Sequence, residues 1–458
     1  MNPGRVRSAG LLHVPHLPAR HGGDGRGTGA APPSPAAVLT TGSAALFLLG
    51  VNTTAINAAL PAIAADLDIG TTALSWAVGV YMLAVAALVV LGGRLGDMLG
   101  QRTAMLAGLL VFAAGSVLVA ASGSAVLLLL GRLIQGLGAA LMMPSTMAVL
   151  RLAYPPERQG FAQGVWGAVA GIAFAVGPLI GGVLTDELSW RWVWWGSALW
   201  ALLVAVAGRF TLSGLPGREP WTGLDVPGAL LLAVGLSALV LAFQQIPVWG
   251  AGSAAIVLAF FTAAAALAAL AVVESRRRAP LLHLRLLKEP ALLAACLGTC
   301  VNALFLIGLL YFFNLYAQAE AALDYSALLA STALLPYGAC VFAASLLIGR
   351  LCDRVGFRLP VAAGLVCTGV GALLLARTGA ASGYADLWPG TAVLGVGVGI
   401  TLSSPSAAGL RALPPEHAGE GAGLINVVRY LAAALVVSVG TLVFLAAGAE
   451  RLNDRLGG

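Results

Sequence analysis

The sequence predicts an all-α integral membrane protein, built as two pseudo-symmetric helical bundles with two extra helices between them. Three observations predict it. The 458 residues are 59% hydrophobic and only 10% charged, with a mean hydropathy of +0.92, against about 25% charged residues in soluble proteins. Charge that sparse cannot cover a water-facing surface, so lipid is the solvent for most of the chain. Apolar runs long enough to cross a bilayer, about 20 residues each, recur along the whole sequence. One charged decapeptide occurs twice, as GRLGDMLGQR at 93–102 and GRLCDRVGFR at 349–358. Such a repeat marks a transporter made by internal duplication.

Taken in order, residues 1–36 are rich in Gly, Pro, His and Arg and are expected to form a disordered, uncleaved tail. His13, His16 and His21 imitate a metal tract, but a flexible tail is the plainer reading. Apolar runs follow at 41–63, 74–93, 103–122, 125–150, 161–184, 192–210, 226–247, 253–273, 293–317, 327–349, 359–377, 387–409 and 421–447. Thirteen spans result, all helical because they lack strand alternation and lipid tolerates no open sheet edge. Placing the N-terminus inside puts nineteen Lys and Arg in inside segments and only Arg191, Arg377, Arg451 and Arg455 outside. The enrichment of cytoplasmic loops in basic residues therefore sets the orientation.

The net charge of +6 is scattered through these loops and does not point to nucleic acid. Cys296 and Cys300 stand one helical turn apart with no His or acid nearby, and read as small core residues rather than metal ligands. No carboxylate pair, His–Cys pair or G-x-S-x-G supports an enzyme, and GVGVG at 395–399 follows no strand, so helix packing explains it better than a nucleotide loop. No cofactor or metal is expected.

In the repeated turn, Gly93, Gly100, Gly349 and Gly356 allow a tight reversal and close helix approach. Asp97 and Asp353 can face the positive N-terminus of another helix, while Arg102, Arg354 and Arg358 can pair with acids or lipid phosphate. A charged latch at a helix crossing holds one conformation and releases it in another.

The turn resembles the signature loop of the major facilitator superfamily through Gly93, Leu95, Asp97, Gly100 and Arg102, with Gln101 departing from the usual basic residue. RLIQGLGAA in the fourth span is similar to that family's helix 4 motif, supplied by Arg132, Gln135, Gly136, Gly138 and Ala140. GPLIGG at 177–182 resembles the helix 5 motif of antiporters. The added pair of spans, SWRW from Ser189 to Trp192, and PEHAGEGAGLINVVR resemble the fourteen-helix drug:proton antiporter branch. On that pattern the thirteenth span corresponds to the fifth, and the second bundle is one helix short.

Arg132 with Gln135, and Arg429 with Asn426, stand inside spans, where a cation costs at least about 2.5–3.5 kcal/mol unless it meets a cavity or a partner. They are candidates for the substrate or coupling pathway, with Asn52, Asn57, Tyr311 and Asn314. Trp76, Tyr81, Tyr316 and Gln318 add aromatic and hydrogen-bonding character near the cavity or its mouth. Gly177, Pro178, Gly181 and Gly182 are expected to kink the fifth helix and pack it, with Gly164, Gly167 and Gly171 continuing one edge of small residues. NTTAINAALP at 52–61 resembles a run that begins with Asp in the antiporter branch; here Asn52 stands in that place. An amide cannot carry a proton, so any proton carrier is a boundary acid such as Glu320 or Asp225, or the substrate. Asn52 is expected to hydrogen-bond substrate, with neutral or anionic aromatic compounds favoured beside Arg132.

The resulting expectation has a tail at 1–36, a six-helix bundle at 37–212, a linker with two helices at 213–278 and a second bundle at 279–458. The protein is expected to export amphipathic or aromatic small molecules by alternating access as a monomer of the plasma membrane, N-terminus inside, with protons as the family's coupling ion. The alternatives are a proton-independent facilitator and a non-transporting membrane sensor or scaffold.

Overall fold

The computed structural model describes residues 33–215, 226–276, 286, 288–318, 323, 325, 329, 332–378, 382–414 and 417–456. Within its helices, the side chains at 71, 72, 75, 226, 247, 314, 315, 318, 437–439 and 441–456 lie outside the description. Asp225, Glu320, Asp324 and the side chains of Asn314 and Gln318 therefore fall outside the described residues.

Thirteen helices long and apolar enough to cross a membrane occur among the described residues. They are α1 (Pro35–Leu67), α2 (Thr71–Leu99), α3 (Gln101–Ala120), α4 (Ala125–Ala153), α5 (Gln159–Glu187), α6 (Arg191–Thr211), α7 (Val226–Trp249), α8 (Ala254–Arg276), α9 (Pro290–Gln318), α10 (Leu335–Val355), α11 (Arg358–Ala376), α12 (Tyr384–Arg411) and α13 (Ala418–Leu456). The tenth apolar run was expected to begin at 327, whereas α10 starts at Leu335. Among the described residues before it, 329, 332 and 333 are also helical, and Pro336 sits in the first turn of α10, where its missing N–H costs nothing. The last helix continues past the apolar run that ends at 447, to Leu456. Large apolar side chains such as Phe210, Phe261 and Leu359 lie on the outside, where water would penalise them and lipid does not.

In the first bundle α1 packs on α5, α2 on α4, and α3 on both α4 and α6. In the second, α12 packs against α9, α10 and α11, and α9 also against α13. The pair α7 and α8 pack on each other, with α7 reaching α2 and α13. The two bundles meet along a seam made chiefly by α5 against α10 and α2 against α13. These contacts correspond to each other under the internal repeat.

Both copies of the charged turn are nearly as short as a helix reversal can be. Gly100 alone separates α2 from α3 at φ +90°, and Gly356 follows α10 at φ +79°. Side chains rarely adopt that backbone region, so glycine is required there. At the opposite end of the first bundle, Arg191 clamps three segments together. It pairs with Asp66 at 2.6 Å, donates to the Ser122 carbonyl at 3.0 Å, and lies 4.4 Å over the Trp190 ring.

Candidate functional site

Each Asp of the repeated turn crosses the seam to the first turn of a helix in the other bundle. Asp97, at the end of α2, accepts from the backbone N–H groups of Gly419 and Glu420 at 2.9 Å each, at the start of α13. Asp353, at the end of α10, accepts from Gly160 and Phe161 at 2.7 Å each, at the start of α5. First-turn N–H groups have no partner within their own helix and carry the positive end of its dipole. A carboxylate there satisfies two donors at once. The copies differ in one respect: Asp97 also accepts from Gln101 Nε2 at 2.7 Å, and both side chains are buried, whereas Asp353 is half-buried.

Glycines make these approaches possible. A Cβ on Gly93 would collide with the Gly419 carbonyl, and one on Gly419 with that of Gly93. Gly349 meets Gly160 in the same way, and Gly164 also faces Gly349. A third link joins the bundles at this end, from Arg151 in the last turn of α4 to the carbonyls of Leu413 and Pro414 beyond α12. Arg102, Arg354 and Arg358, expected to pair with acids or lipid phosphate, meet no acid among the described residues. Arg102 stays within its bundle, donating to the Arg209 carbonyl of α6 at 2.8 Å, a natural site for a cation near a helix C-terminus. Arg354 and Arg358 are exposed and pair with no acid among the described residues.

The glycines of α5 form not one edge but two. Gly164 and Gly171 face α10 and Gly167 faces α12, whereas Gly177 and Gly181 face Thr54 and Ala55 of α1. Gly182 meets nothing within 4 Å and so does not pack. The helix runs unbroken through Pro178. α5 and α10 touch at the end bearing the charged turns and diverge at the other, where a cavity of about 680 Å³ opens between them. Its walls include Thr54, Asn57 and Pro61 of α1, Pro178, Gly182 and Asp186 of α5, and Leu310, Leu335 and Tyr337 from the second bundle. That volume suits a drug-sized ligand.

Asn57, Pro178 and Gly182 thus reach the cavity, while Asn52, Arg132, Gln135, Tyr311, Asn426 and Arg429 are not among its lining residues. Arg132 is fully buried inside the first bundle, where Nη1 donates to Asn52 Oδ1 at 2.7 Å and Gln135 Oε1 at 3.0 Å. Its Nε donates to the Ala77 carbonyl at 2.9 Å, and its guanidinium lies 4.4 Å from the Tyr81 ring centroid. Gln135 continues the network to Ser116 at 2.7 Å, and Asn52 to Ser197 at 3.4 Å. No acid pairs with this cation among the described residues. Neutral acceptors and a π face compensate it. Asn52 therefore touches Arg132 rather than the cavity in this conformation, because the first bundle's helices close over both.

Asn426 is buried at the seam, donating to the Ala422 carbonyl at 2.8 Å and to Met147 Sδ at 3.7 Å. Arg429 stands one turn further along α13, half-buried, 5.9 Å from the Trp166 ring of α5. Tyr311 packs edge-on against Phe312 at 5.1 Å. Sequence reasoning missed Tyr337, whose ring lines the cavity while its hydroxyl, shielded from water, finds no hydrogen-bond partner among the described residues. Gly395 makes room for that ring. The signal was faint: one polar-tipped aromatic, next to Pro336, in an apolar run.

Residues 42–437 match the family model described as Major Facilitator Superfamily. The chain belongs to that superfamily. As a Major Facilitator protein it is 33% identical over 420 residues to the puromycin resistance protein pur8 of Streptomyces alboniger, covering 90% of this chain and 82% of that one. It is 32% identical over 399 residues to the cephamycin export protein CmcT of Amycolatopsis lactamdurans, covering 86% and 82%. Among solved structures it is similar to the human organic anion transporter MFSD10, with a TM-score of 0.65 at 20% identity over 91% of this chain and 95% of that one. It is also similar to the Escherichia coli fucose:proton symporter FucP, with a TM-score of 0.61 at 14% identity over 91% and 93%. Identities that low establish the fold alone.

Proposed function

We propose that this Major Facilitator protein exports amphipathic or aromatic small molecules by alternating access, and that the conformation described here is the outward-open one. One observation carries the reading: α5 and α10 are clasped at one end by Asp353 and diverge at the other around a cavity. The basic residues clustered at the clasped end support its assignment to the cytoplasm, with the N-terminus on that side of the cell membrane. Relatives named for puromycin resistance and cephamycin export support drug-like substrates. In this reading residues 37–212 and 279–458 rock against each other while 213–278 supplies an accessory helix pair. Asp97 and Asp353, with Gly93, Gly100, Gly349 and Gly356, latch the cytoplasmic side, and the exporter works as a monomer.

Proton coupling through α1 is disfavoured by the contact between Asn52 and Arg132, since neither partner is an acid. A facilitator, or coupling through a boundary acid, is accordingly the second reading. Asp186 is the acid at the cavity wall. Efflux of puromycin and ethidium from membrane vesicles, with and without a pH gradient, tests both. Export that persists when the gradient is collapsed supports the facilitator, export that stops supports coupling, and no movement of these compounds or of an anionic aromatic such as 2-naphthoate overturns the exporter reading.

A further inference from the structure

The two arginines inside the spans are held in opposite ways. Arg132 has no exposed surface and is surrounded by three acceptors and the Tyr81 ring. Arg429 donates no hydrogen bond to any described residue; its Nε and Nη2 are shielded from water and unpartnered. The residue as a whole is only half-buried, so part of the guanidinium reaches open space. Trp166 of the other bundle, 5.9 Å away, gives the guanidinium one cation–π contact at the outer edge of the effective range. The Trp166 ring is itself fixed by donating to Thr146 Oγ1 at 3.1 Å. One turn back on α13, Asn426 Oδ1 is a buried acceptor with no donor among the described residues.

A cation midway along a spanning helix, without a counter-charge, is expensive unless something transient satisfies it. Planar carboxylates match the two-pronged donor edge of a guanidinium, and such charge-assisted pairs are stronger than neutral ones. We propose that Arg429 is an anion-recognition point of the transport path, binding the carboxylate or equivalent oxyanion of an amphipathic aromatic substrate. Arg132, bonded through Nε and Nη1 with only Nη2 unpartnered, is a structural cation of the first bundle. The inference rests on the exporter reading, and it adds a substrate class to it.

The test uses the full chain in lipid nanodiscs and a matched probe pair, 2-naphthoate and the neutral 2-naphthamide. Naphthoate is expected to bind roughly tenfold more tightly than naphthamide, as one charge-assisted contact implies. Arg429→Gln brings the two within about twofold, and Arg429→Lys retains part of the preference. The unmodified protein supplies an independent measurement. Phenylglyoxal labelling of Arg429, read by mass spectrometry, is expected to be suppressed by naphthoate and not by naphthamide. Equal binding of the two probes, a preference that survives Arg429→Gln, or labelling indifferent to naphthoate each overturns the proposal. If ethidium and puromycin are still exported in that case, the exporter reading stands and only the anion site falls.

Discussion

Gly93 of α2 and Gly419 of α13 face each other across the seam so closely that the carbonyl of each fills the space a Cβ on the other would need. Gly93→Ala or Gly419→Ala must therefore part the helices at the clasped end, at a cost typical of overpacking, about 1–3 kcal/mol. A cysteine at Gly182, which lines the open cavity without packing, reports the state in a background lacking the five native cysteines. Its labelling by an impermeant thiol reagent is expected to fall several-fold in either alanine variant. Unchanged labelling means that the two glycines do not govern the clasped state.

Asp97→Asn and Asp353→Asn each remove a charge from a helix N-terminus, worth roughly 0.3–2 kcal/mol. Both are expected to lower ethidium efflux at equal membrane expression. Asp97→Asn is expected to do so more, because Asp97 is the more buried of the two and also holds Gln101. Equal efflux by both variants and the unmodified protein removes the latch from the mechanism.

Asn52→Asp places a carboxylate against the Arg132 guanidinium, where the amide oxygen now accepts at 2.7 Å. The variant gains a carboxylate in a site that has none among the described residues. Its efflux of a cationic dye is expected to acquire a dependence on pH that the unmodified protein lacks. An Asn52→Asp efflux profile that follows pH no more steeply than that of the unmodified protein would falsify the view that this position can carry coupling.

Tyr337→Phe deletes a hydroxyl that is shielded from water and unpartnered among the described residues. An unmade buried hydrogen bond costs about 1–3 kcal/mol, so thermal stability in detergent is expected to stay the same or rise. A clear fall in melting temperature shows that the hydroxyl has a partner after all.

Much of this was legible in the sequence because lipid leaves so few options. Runs of about 20 apolar residues must be helices, and the duplicated decapeptide pointed to both halves and to an aspartate facing a helix terminus. Which terminus it faces was not legible, because Gly419 and Gly160 lie far along the chain from the residues they meet. The division of the α5 glycines between α10 and α1 was hidden for a related reason. Helical spacing states which residues share a face, not which neighbour that face meets. Arg132 and Arg429 looked alike as isolated cations in apolar runs, and only three-dimensional packing shows that Arg132 is held by three hydrogen bonds and Arg429 by none among the described residues. Asn52 drew attention as a departure from an acidic position; its contact with Arg132 required the fold.

The divergence of α5 from α10 has a mechanical consequence. Gly171 lies against Val341, and Ala175 against Gly338, close to where the helices begin to part. From Gly171 to the Asp353 contact at Gly160, or to the cavity wall at Gly182, is about 16 Å of helix at 1.5 Å per residue. The crossing works as a fulcrum with arms of similar length, so a displacement at the mouth is returned at the clasp with little gain or loss. Rigid arms of that kind cannot swing apart at both ends together, which would keep an alternating-access transporter from becoming a pore.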